Sequence, residues 1–555
     1  MAPIFVGSNS DDSKIKLDRV SVAASTADPG SASVGDAYYN SSDNNLKFYD
    51  GSGWSAAKGA GTVDLVASGT LSNGQAVIVT SDGKVSGINS VSIAATTGTA
   101  TEFESGETSD IDCVYDPITD RVVVVYRDSG NSGYPTAVVG QINKEDNSIS
   151  FGAPETMQND ASEDIFCTYD FNYNVVVAAY RPTNNNYGVI CLMRVDPRDN
   201  SFDSKSQVVW NSSHTRVLGL DYDTYNNSFA ILYRNADDSY KPYVIAGQVS
   251  STSALSMGSA VVAASYSTIH GDIVYIPSTK LFLIAYQDSN NSYRGKFRVF
   301  EITNAGTGAI NFQAGSANIE SSGGESRDFS LAYDSKNDRV ICAYGHDGGT
   351  NAGFVVIPTI PGVSEKYVTA VSTPVRFSDD ASPSVSITDI AAVYDTDAQR
   401  TVISYRDAGT DPYRGKTVSG IATGNNINFD IPNTVIFAQG NTIDCASAYD
   451  STSKKVAIFY RNWSSSPTQK GTGIVYESAR SNLTKQNFIG FSDAAYSNGQ
   501  TASIQIASAV DDAQSGLTPG KKYFVNRVGV LSTTEESSSV FAGTAISATK
   551  ISVKH

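Results

Sequence analysis

Aspartate and arginine recur at fixed positions along the chain, and side chains of these two types can bind or process a charged or hydroxylated ligand. An aspartate stands five residues before a tyrosine in five places: Asp110, Asp164, Asp328, Asp389 and Asp444. An arginine directly follows a second tyrosine in five places: Arg127, Arg181, Arg234, Arg406 and Arg461. Carboxylates act as acids, bases or hydroxyl acceptors, and guanidinium groups bind anions through two parallel hydrogen bonds. The pattern is therefore compatible with a catalytic or glycan-binding face.

A structural role accounts better for the repetition of these charges. If Tyr115 lies opposite Val122 in an antiparallel hairpin, the same register places Asp110 opposite Arg127, and opposed residues share one face of a sheet. Four copies carry both members, 17 residues apart, and we expect contacts within each pair: Asp110 with Arg127, Asp164 with Arg181, Asp389 with Arg406, and Asp444 with Arg461. In the third copy Val217 replaces the aspartate, so Arg234 must find another partner or face solvent. We therefore predict structural ion pairs and no catalytic residue.

These charges belong to a hairpin marked by two tyrosines that occurs seven times. The first tyrosines are Tyr115, Tyr169, Tyr222, Tyr275, Tyr333, Tyr394 and Tyr449. The second tyrosines follow them by 11 residues each (126 − 115, for example): Tyr126, Tyr180, Tyr233, Tyr286, Tyr344, Tyr405 and Tyr460. The first tyrosines lie 53 to 61 residues apart, a period typical of repeat architectures.

Each copy is predicted to form a four-stranded sheet. The hairpin supplies two strands, and the second is nearly all apolar, as in 122–125, which indicates burial on both faces. Residues 136–142 and 148–157 predict a third and a fourth strand. Four strands per repeat and seven repeats predict an all-β fold with a seven-bladed β-propeller over 90–478. Because 90–103 resembles a fourth strand and the seventh copy lacks one, we expect that segment to complete the last blade and remove an open sheet edge.

The loops after the second tyrosines are rich in aromatic, amide and glycine residues. Aromatic rings stack on sugars, and amide groups bind hydroxyls, so these loops favour glycan contact as much as they favour plain turns. The candidate ligand-binding residues are Tyr134, Tyr187, Tyr293, Tyr413 and Trp463.

Other chemistry finds little support in the sequence. The four histidines show no metal-ligand spacing, His270 stands at the repeated aspartate position, and we find no phosphate-binding loop, nucleophile elbow or zinc-protease motif. We predict no metal and no cofactor.

The chain has five cysteines, an odd number, and none of them form a CxxC pair. Four of the five replace small apolar residues in predicted strands, which indicates buried, reduced thiols: Cys113, Cys167, Cys191, Cys342 and Cys445.

Composition and charge exclude some partners. The net charge is −17, from 40 basic and 57 acidic residues, and no lysine–arginine cluster is present, which argues against nucleic acid. No signal-peptide pattern and no apolar run of membrane-spanning length occurs, so we expect no membrane insertion.

The flanks of the repeat predict three further modules: a β-hairpin module over 1–60, a small β segment over 61–89, and a C-terminal β module over 479–555. Residues 35–54 (GDAYYNSSDNNLKFYDGSGW) resemble a motif of tail-fibre and appendage proteins of tailed bacteriophages, especially cyanophages, and 515–555 (SGLTPGKKYFV, then AGTAISATKISVKH) resemble the C-terminal module of phage tail proteins. This resemblance implies a structural protein of a virion, assembled in the host cytoplasm, and carries over no catalytic residue.

The sequence as a whole favours a non-enzymatic virion protein on a tail fibre or other appendage. We expect it to attach to a host-surface glycan or receptor or to other virion proteins, and to form a homo-oligomer. Two alternatives remain open at this point: a polysaccharide-degrading propeller, similar to sialidases in its arginine cluster, and a purely structural tail or capsid component.

Overall fold

The computed structural model describes residues 23–34, 36–42, 45–49, 51, 53–56, 61–89, 94–313, 315–320, 324–347, 351–362, 366–378, 386–409, 413–429, 434–463, 469–535 and 539–554. The predictions for 1–22, 57–60, 90–93 and His555 lie outside the described residues. The chain forms two compact units, one of Val91–Arg480 and one of Met1–Ser90 with Ser481–His555.

The larger unit contains the seven repeats, numbered 1 to 7 in chain order. Their first strands are Thr101–Asp116, Ser162–Asp170, Thr215–Asp223, Gly271–Ile276, Glu325–Asp334, Ile387–Asp395 and Thr442–Asp450. Their second strands are Arg121–Asp128, Val175–Pro182, Ser228–Asn235, Leu281–Asp288, Arg339–Asp347, Arg400–Asp407 and Lys455–Asn462. Their third strands are Tyr134–Asn143, Gly188–Val195, Lys241–Ser251, Arg294–Asn304, Ala352–Val356, Arg414–Thr423 and Lys470–Glu477.

Except in repeat 2, the fourth strands are shorter than the third, and several are broken in two. They are Ser148–Phe151 with Glu155–Thr156, Phe202–Asn211, Ala254–Met257 with Val261–Val262, Ala309–Phe312 with Ala317–Asn318, Val375–Arg376, and Asn426–Phe429 with Val435–Ala438. A two-stranded sheet of Pro358–Thr359 and Ala370–Val371 follows the third strand of repeat 5. Neighbouring strands in each repeat are antiparallel and pair in chain order, so the predicted all-β class is confirmed and the sheets follow one another in the manner of a β-propeller.

The turn between the first two strands explains the constant spacing of the tyrosines. In repeat 1 the side chain of Asp116 accepts hydrogen bonds from the backbone N–H groups of Ile118 and Thr119, and Asp120 adopts a left-handed backbone with φ 57° before the second strand begins. Short polar side chains favour such turns because they can bond to the local backbone. The same left-handed position recurs in the other repeats at Asn174, Asn227, Lys280, Asp338, Gln399 and Lys454.

Apolar side chains pack between each pair of successive repeats. Val123 of repeat 1, for example, belongs to one buried cluster with Val176 of repeat 2. The seventh repeat packs in the same way against the first, where Phe459 shares a buried cluster with Val122. The first strands also contact one another in order, and that of repeat 7 contacts that of repeat 1. The second tyrosines lie in these layers, each at most 2% exposed.

The segment predicted to complete repeat 7 does pair with it. Thr96–Thr97 and the beginning of Thr101–Asp116 pair antiparallel with Lys470–Glu477, the third strand of repeat 7. Phe103 lies across Gly471, where a Cβ atom would come within 2.4 Å of the phenylalanine ring, and its ring centroid is 5.1 Å from that of Tyr126. One continuous strand therefore serves repeat 7 first and repeat 1 afterwards.

The described residues of the smaller unit form three sheets. Ala23–Ser25, Ala37–Asn40, Asn45–Tyr49 and Trp54–Ala56 form the first. The second runs in the order Thr62–Val66, Thr501–Gln505, Phe488–Ser492, Ala76–Val79 and Val85–Gly87, and the third in the order Val510–Asp511, Ile551–Val553, Val540–Ala545, Lys522–Val525 and Leu531–Ser532. The segment 61–89, predicted as separate from the C-terminal module, therefore shares a sheet with it.

The tetrapeptide Ser-Asn-Gly-Gln, which occurs in both flanks, forms the same turn twice. The side chains of Gln75 and Gln500 accept hydrogen bonds from the backbone N–H groups of Ser72 and Ser497, respectively. The residues preceding the two turns, Leu71 and Tyr496, exchange backbone hydrogen bonds of 2.9 Å each. The two flanks are thus joined by two matching turns.

Within the described ranges, only single turns of 3₁₀ helix occur: Ser129–Asn131, Ala236–Asp238, Ser289–Asn291 and Ala305–Thr307. No helix in that part of the chain has the length and apolar character needed to cross a membrane.

Candidate functional site

The five repeated aspartates lie at β-bulges in the first strands. In repeat 1 the bulge places Asp110 and Ile111 together opposite Tyr126, so two residues of one strand face a single residue of the other. All five aspartates adopt a left-handed backbone, with φ between 49° and 55°. Aspartate tolerates this conformation better than most residues because its short side chain bonds locally.

The bulge makes the predicted register wrong by one residue. Arg127 lies opposite Ser109 and not Asp110, and Arg181 lies opposite Glu163 and not Asp164. Repeats 6 and 7 show the same shift, with Thr388 and Ile443 opposite the arginines. The uniform register assumed for the hairpin does not hold because the left-handed aspartate adds one residue to the first strand.

Three of the four expected aspartate–arginine contacts are present despite this shift. The closest is that of Arg181, whose Nε donates to Asp164 over 2.9 Å. Arg461 Nε lies 3.0 Å from an oxygen of Asp444, at an angle that gives an ion pair without an aligned hydrogen bond. The Arg406 and Asp389 groups are 3.6 Å apart.

The fourth expected contact is wrong, since no ion pair joins Asp110 to Arg127 in the described part of the chain. The Arg127 guanidinium donates instead to the Ser129 hydroxyl over 3.2 Å. Asp110 accepts hydrogen bonds from the Ser109 hydroxyl and from the backbone N–H of Asp164.

The repeated aspartates also join one repeat to the next. Asp110 Oδ1 accepts from the backbone N–H of Asp164 over 3.0 Å, and Asp389 Oδ1 accepts from that of Asp444 over 2.9 Å. These bonds connect equivalent bulges of neighbouring repeats. Asp110 and Asp389 therefore hold neighbouring first strands together, and Asp164, Asp444 and Asp328 contact Arg181, Arg461 and His270, respectively.

The first strands of all seven repeats line one cavity of about 570 Å³. Its size falls within the range of small-molecule sites, and it is rich in charge. The carboxylates in its wall are Asp110, Asp112, Asp164, Asp221, Asp272, Asp328, Asp389 and Asp444. Arg234 and His270 are the cationic or titratable nitrogen groups among the described lining residues, and His270 Nδ1 lies 3.1 Å from Asp328.

Three of the cavity carboxylates, Asp112, Asp221 and Asp272, were not predicted from the sequence. Each accepts a backbone N–H from the following repeat: Cys167, Tyr275 and Leu331 donate over 2.8, 2.7 and 2.7 Å, respectively. The available signal was that Asp112 and Asp272 each precede a first tyrosine by three residues, in otherwise apolar strands. A charge in such a strand must find partners within the fold.

Burial raises the pKa values of several cavity carboxylates. The pKa of Asp112 and that of Asp221 rise to about 6, and that of Asp272 to about 8, although backbone N–H donors act in the opposite direction. Burial likewise raises the pKa of Asp444 to about 7, against the attraction of Arg461. These carboxyl groups are therefore partly protonated near neutral pH.

These raised pKa values predict that the larger unit becomes less stable as pH increases. The unfolded chain releases these protons near the ordinary value of 3.8, whereas the folded chain keeps them up to about pH 6 to 8. Their stabilising contribution is thus complete in acid and is lost between about pH 4 and 8. We expect the melting temperature to fall between pH 5 and pH 8.5, and to fall less in Asp272→Asn. A melting temperature that is flat or rises over this interval in the wild-type chain would contradict the assignment.

The predicted aromatic residues lie at the end of the hairpins where the repeated aspartates are found. Trp463 is 47% exposed, and Tyr187 and Tyr413 are 37% exposed, whereas Tyr134 and Tyr293 are half-buried. Tyr413 also stacks under the Arg406 guanidinium, at 4.6 Å from ring centroid to Cζ. The loops after the second tyrosines therefore carry three exposed rings at one end of the repeats.

Tyr240 is a fourth exposed ring of this kind and was missed. It is 41% exposed and stands seven residues after the second tyrosine of its repeat, as do Tyr187 and Tyr293 in theirs. The loops that carry these rings are fixed in place by the next repeat: the carbonyls of Tyr240, Tyr293 and Tyr413 accept backbone N–H groups of Thr268, Ser326 and Thr442. Such anchoring makes the loops defined platforms rather than free turns.

The five cysteines are free thiols. Cys445 is half-buried and the other four are buried. Burial raises the pKa of the Cys191 thiol to about 12 and raises those of the other four well above their ordinary value. The reactive thiolate is therefore scarce at neutral pH.

We expect a thiol reagent at pH 7.5 to modify less than one cysteine per native chain within an hour, with Cys445 reacting first. All five should react once the chain is unfolded in denaturant. Mass spectrometry of the labelled chain gives the count, and rapid modification of several cysteines in the native state would contradict the strand assignment.

In the described ranges, no group of three or more His, Cys, Asp or Glu side chains is arranged to hold a metal ion.

Comparison with known proteins identifies no family for the chain. No family model matches it, and no curated protein matches it. Among solved structures, the BP39L lectin from Burkholderia pseudomallei aligns with a TM-score of 0.46 and 11% identity, over 68% of this chain and 98% of the lectin. AofleA from Arthrobotrys oligospora aligns with a TM-score of 0.38 and 8% identity, over 66% and 95%. The NanB sialidase from Streptococcus pneumoniae aligns with a TM-score of 0.38 and 10% identity, over 68% and 70%.

Proposed function

We propose that the larger unit is a closed, seven-bladed β-propeller that binds its ligand without chemical conversion. Three features support seven blades and closure. Apolar clusters occur between all successive repeats, including 7 and 1; residues 96–107 pair with the last repeat; and the seven first strands line a common cavity. Pairing of residues 96–107 with Lys470–Glu477 covers a strand edge that would otherwise be open to aggregation.

The observation that carries the binding function is the contrast between the charged and the aromatic side chains. The repeated carboxylates are engaged in hydrogen bonds and ion pairs within the fold, whereas aromatic rings at one end of the hairpins are exposed on anchored loops. Exposed tyrosine and tryptophan offer apolar faces with a polar edge, a combination suited to sugar rings. We infer a hydroxyl-rich ligand, such as a host-surface glycan.

We propose that this binding serves attachment of a tailed-phage particle. The support is the resemblance of 35–54 and 515–555 to phage appendage proteins, which implies a virion structural protein of a tail fibre or other appendage. The flanks would join it to other virion proteins, as a homo-oligomer assembled in the host cytoplasm. Pairing of the segments 61–89 and 488–505 in one sheet supplies a single module for that role.

A hydrolase is disfavoured by the occupancy of the carboxylates. Asp221 and Asp272 each accept two backbone N–H groups, one per oxygen, so both carboxyl groups are held against the strands that line the cavity. A glycosidase needs two carboxyl groups that both reach the scissile bond.

The test is retention of the purified chain on immobilised polysaccharide from cyanobacterial envelopes. We expect the triple variant Tyr187→Ala, Tyr413→Ala, Trp463→Ala to bind on the order of tenfold more weakly, because three stacking contacts are removed. The matched control is the double variant Ile118→Ala, Tyr225→Ala, whose residues are 65% and 61% exposed in turns at the opposite end of the hairpins. Equal loss in both variants, or none in the triple variant, would refute the binding face.

A further inference from the structure

Repeat 3 departs from the pattern of charges in the cavity. Val217 takes the place of the repeated aspartate, yet the repeated arginine is kept as Arg234. Arg234 lines the cavity and donates from one terminal nitrogen to the carbonyl of Thr268 over 3.3 Å. Its guanidinium lies 5.3 Å from the ring centroid of Tyr240, and its buried Nε has no hydrogen-bond partner among the described residues.

Arg234 forms no ion pair with a carboxylate among the described residues, and the hydrogen bond that it donates goes to a carbonyl. Its opposite residue in the hairpin is another arginine, Arg216, which lies 3.8 Å from Asp164 and 3.9 Å from Glu163. Both of these carboxylates already bond to Arg181. The guanidinium groups of Arg181 and Arg216 thus already share these two carboxylates. Burial, and then repulsion by Arg216, lower the pKa of Arg234, although the attraction of Asp164 acts in the opposite direction.

We propose that Arg234 binds the carboxylate of an acidic sugar, a hexuronic acid, in the cavity. This inference rests on the proposed glycan-binding function and names the ligand class. A guanidinium group binds a carboxylate through parallel hydrogen bonds, and the free Nε supplies one of the donors. The sugar hydroxyls would donate to cavity carboxylates such as Asp328. A sugar phosphate is disfavoured because Arg234 can offset one negative charge, and the second charge of the phosphate would remain in a cavity lined by eight carboxyl groups.

The test is titration calorimetry of the full chain with D-glucuronate, D-galacturonate, D-glucose and glucose 6-phosphate. We expect a uronate to bind at least tenfold more tightly than glucose. Arg234→Gln should abolish that preference. Val217→Asp should weaken it too, because an aspartate at this position would compete for Arg234, as Asp164, Asp389 and Asp444 pair with the arginines of their repeats. Arg194→Gln, which removes an exposed guanidinium outside the lining of the cavity, should change nothing.

Thermal melting of each variant shows whether it is folded before binding is compared. Unchanged uronate preference in both Arg234→Gln and Val217→Asp would overturn the inference, as would tighter binding of glucose 6-phosphate than of either uronate. Retention on neutral polysaccharide with no uronate preference overturns this inference alone. Failure to bind any saccharide overturns the proposed function as well.

Discussion

Replacing Arg181 with alanine is expected to lower the free energy of unfolding by about 3 kcal/mol, the lower end of the range of about 3–5 kcal/mol for breaking a buried ion pair. Arg181 is 3% exposed and donates to Asp164, to Glu163 and, over 2.6 Å, to Asn186. Its loss leaves two neighbouring carboxylates without their main counter-charge. We expect the lower end of that range because the Asp164 and Glu163 side chains keep some contact with solvent, at 20% and 39% exposure, respectively.

The matched control is Arg127→Ala, at the same position of repeat 1. Arg127 makes no ion pair with its own aspartate and donates to Ser129 instead, so we expect a loss of only about 0–1 kcal/mol. Urea unfolding of both variants measures the difference. Equal losses would show that the ion pair of repeat 2 contributes nothing beyond the packing of an arginine side chain.

Phe103→Ala is expected to cost about 3–5 kcal/mol, as large-to-small substitutions of buried aromatic residues do. Phe103 is 5% exposed and packs on Gly471 and against Tyr126, although it lies more than 300 residues before the repeat whose sheet it completes. The substitution removes the side chain that fixes the last sheet to the first, so repeats 1 and 7 should both lose protection in hydrogen exchange.

Phe437→Ala provides the comparison, because Phe437 fills the same place within repeat 6. It lies across Gly415, its ring centroid is 5.2 Å from that of Tyr460, and it is 6% exposed. We expect the two substitutions to cost the same within about 1 kcal/mol. A full loss for Phe437→Ala with almost none for Phe103→Ala would mean that the strand before repeat 1 does not complete the sheet of repeat 7.

The spacing of the tyrosines was enough to predict the hairpins, and the composition of 90–103 was enough to predict its pairing with the last repeat. Both are local properties: the turn between the strands fixes the 11-residue separation, and a strand pattern without a partner indicates where one is missing. The four-strand pattern followed because each repeat contains the same succession of apolar runs and turns.

The register at the aspartates was not predicted because a bulge leaves little trace in the sequence. A residue with poor strand propensity inside a strand, such as Asp110, was the one available sign. The contacts of Asp164, Asp389 and Asp444 form nonetheless, since an arginine side chain is long enough to reach across one residue of shift. Asp110 fails to pair although its neighbours look the same, a difference set by tertiary packing.

The sequence predicted which loops carry the candidate binding residues, but it did not identify every one of those residues. The loops were identified from their aromatic and amide content, and Tyr240 was missed because its loop carries two aspartates in place of asparagines. Arg234 was recognised as the arginine without an aspartate. The sequence did not predict that Arg234 lines the cavity or lies opposite Arg216. The cavity forms where the first strands of seven repeats meet, and the sequence of one repeat does not specify that arrangement.

The central claim is that the chain binds glycan and does not cleave it. The most direct measurement is to incubate the purified chain with soluble cyanobacterial envelope polysaccharide, and to follow in one sample both complex formation by analytical ultracentrifugation and the appearance of new reducing ends. We predict a complex of protein and polysaccharide with no increase in reducing ends over the polysaccharide alone. Release of reducing sugar in proportion to the amount of chain added would contradict the claim.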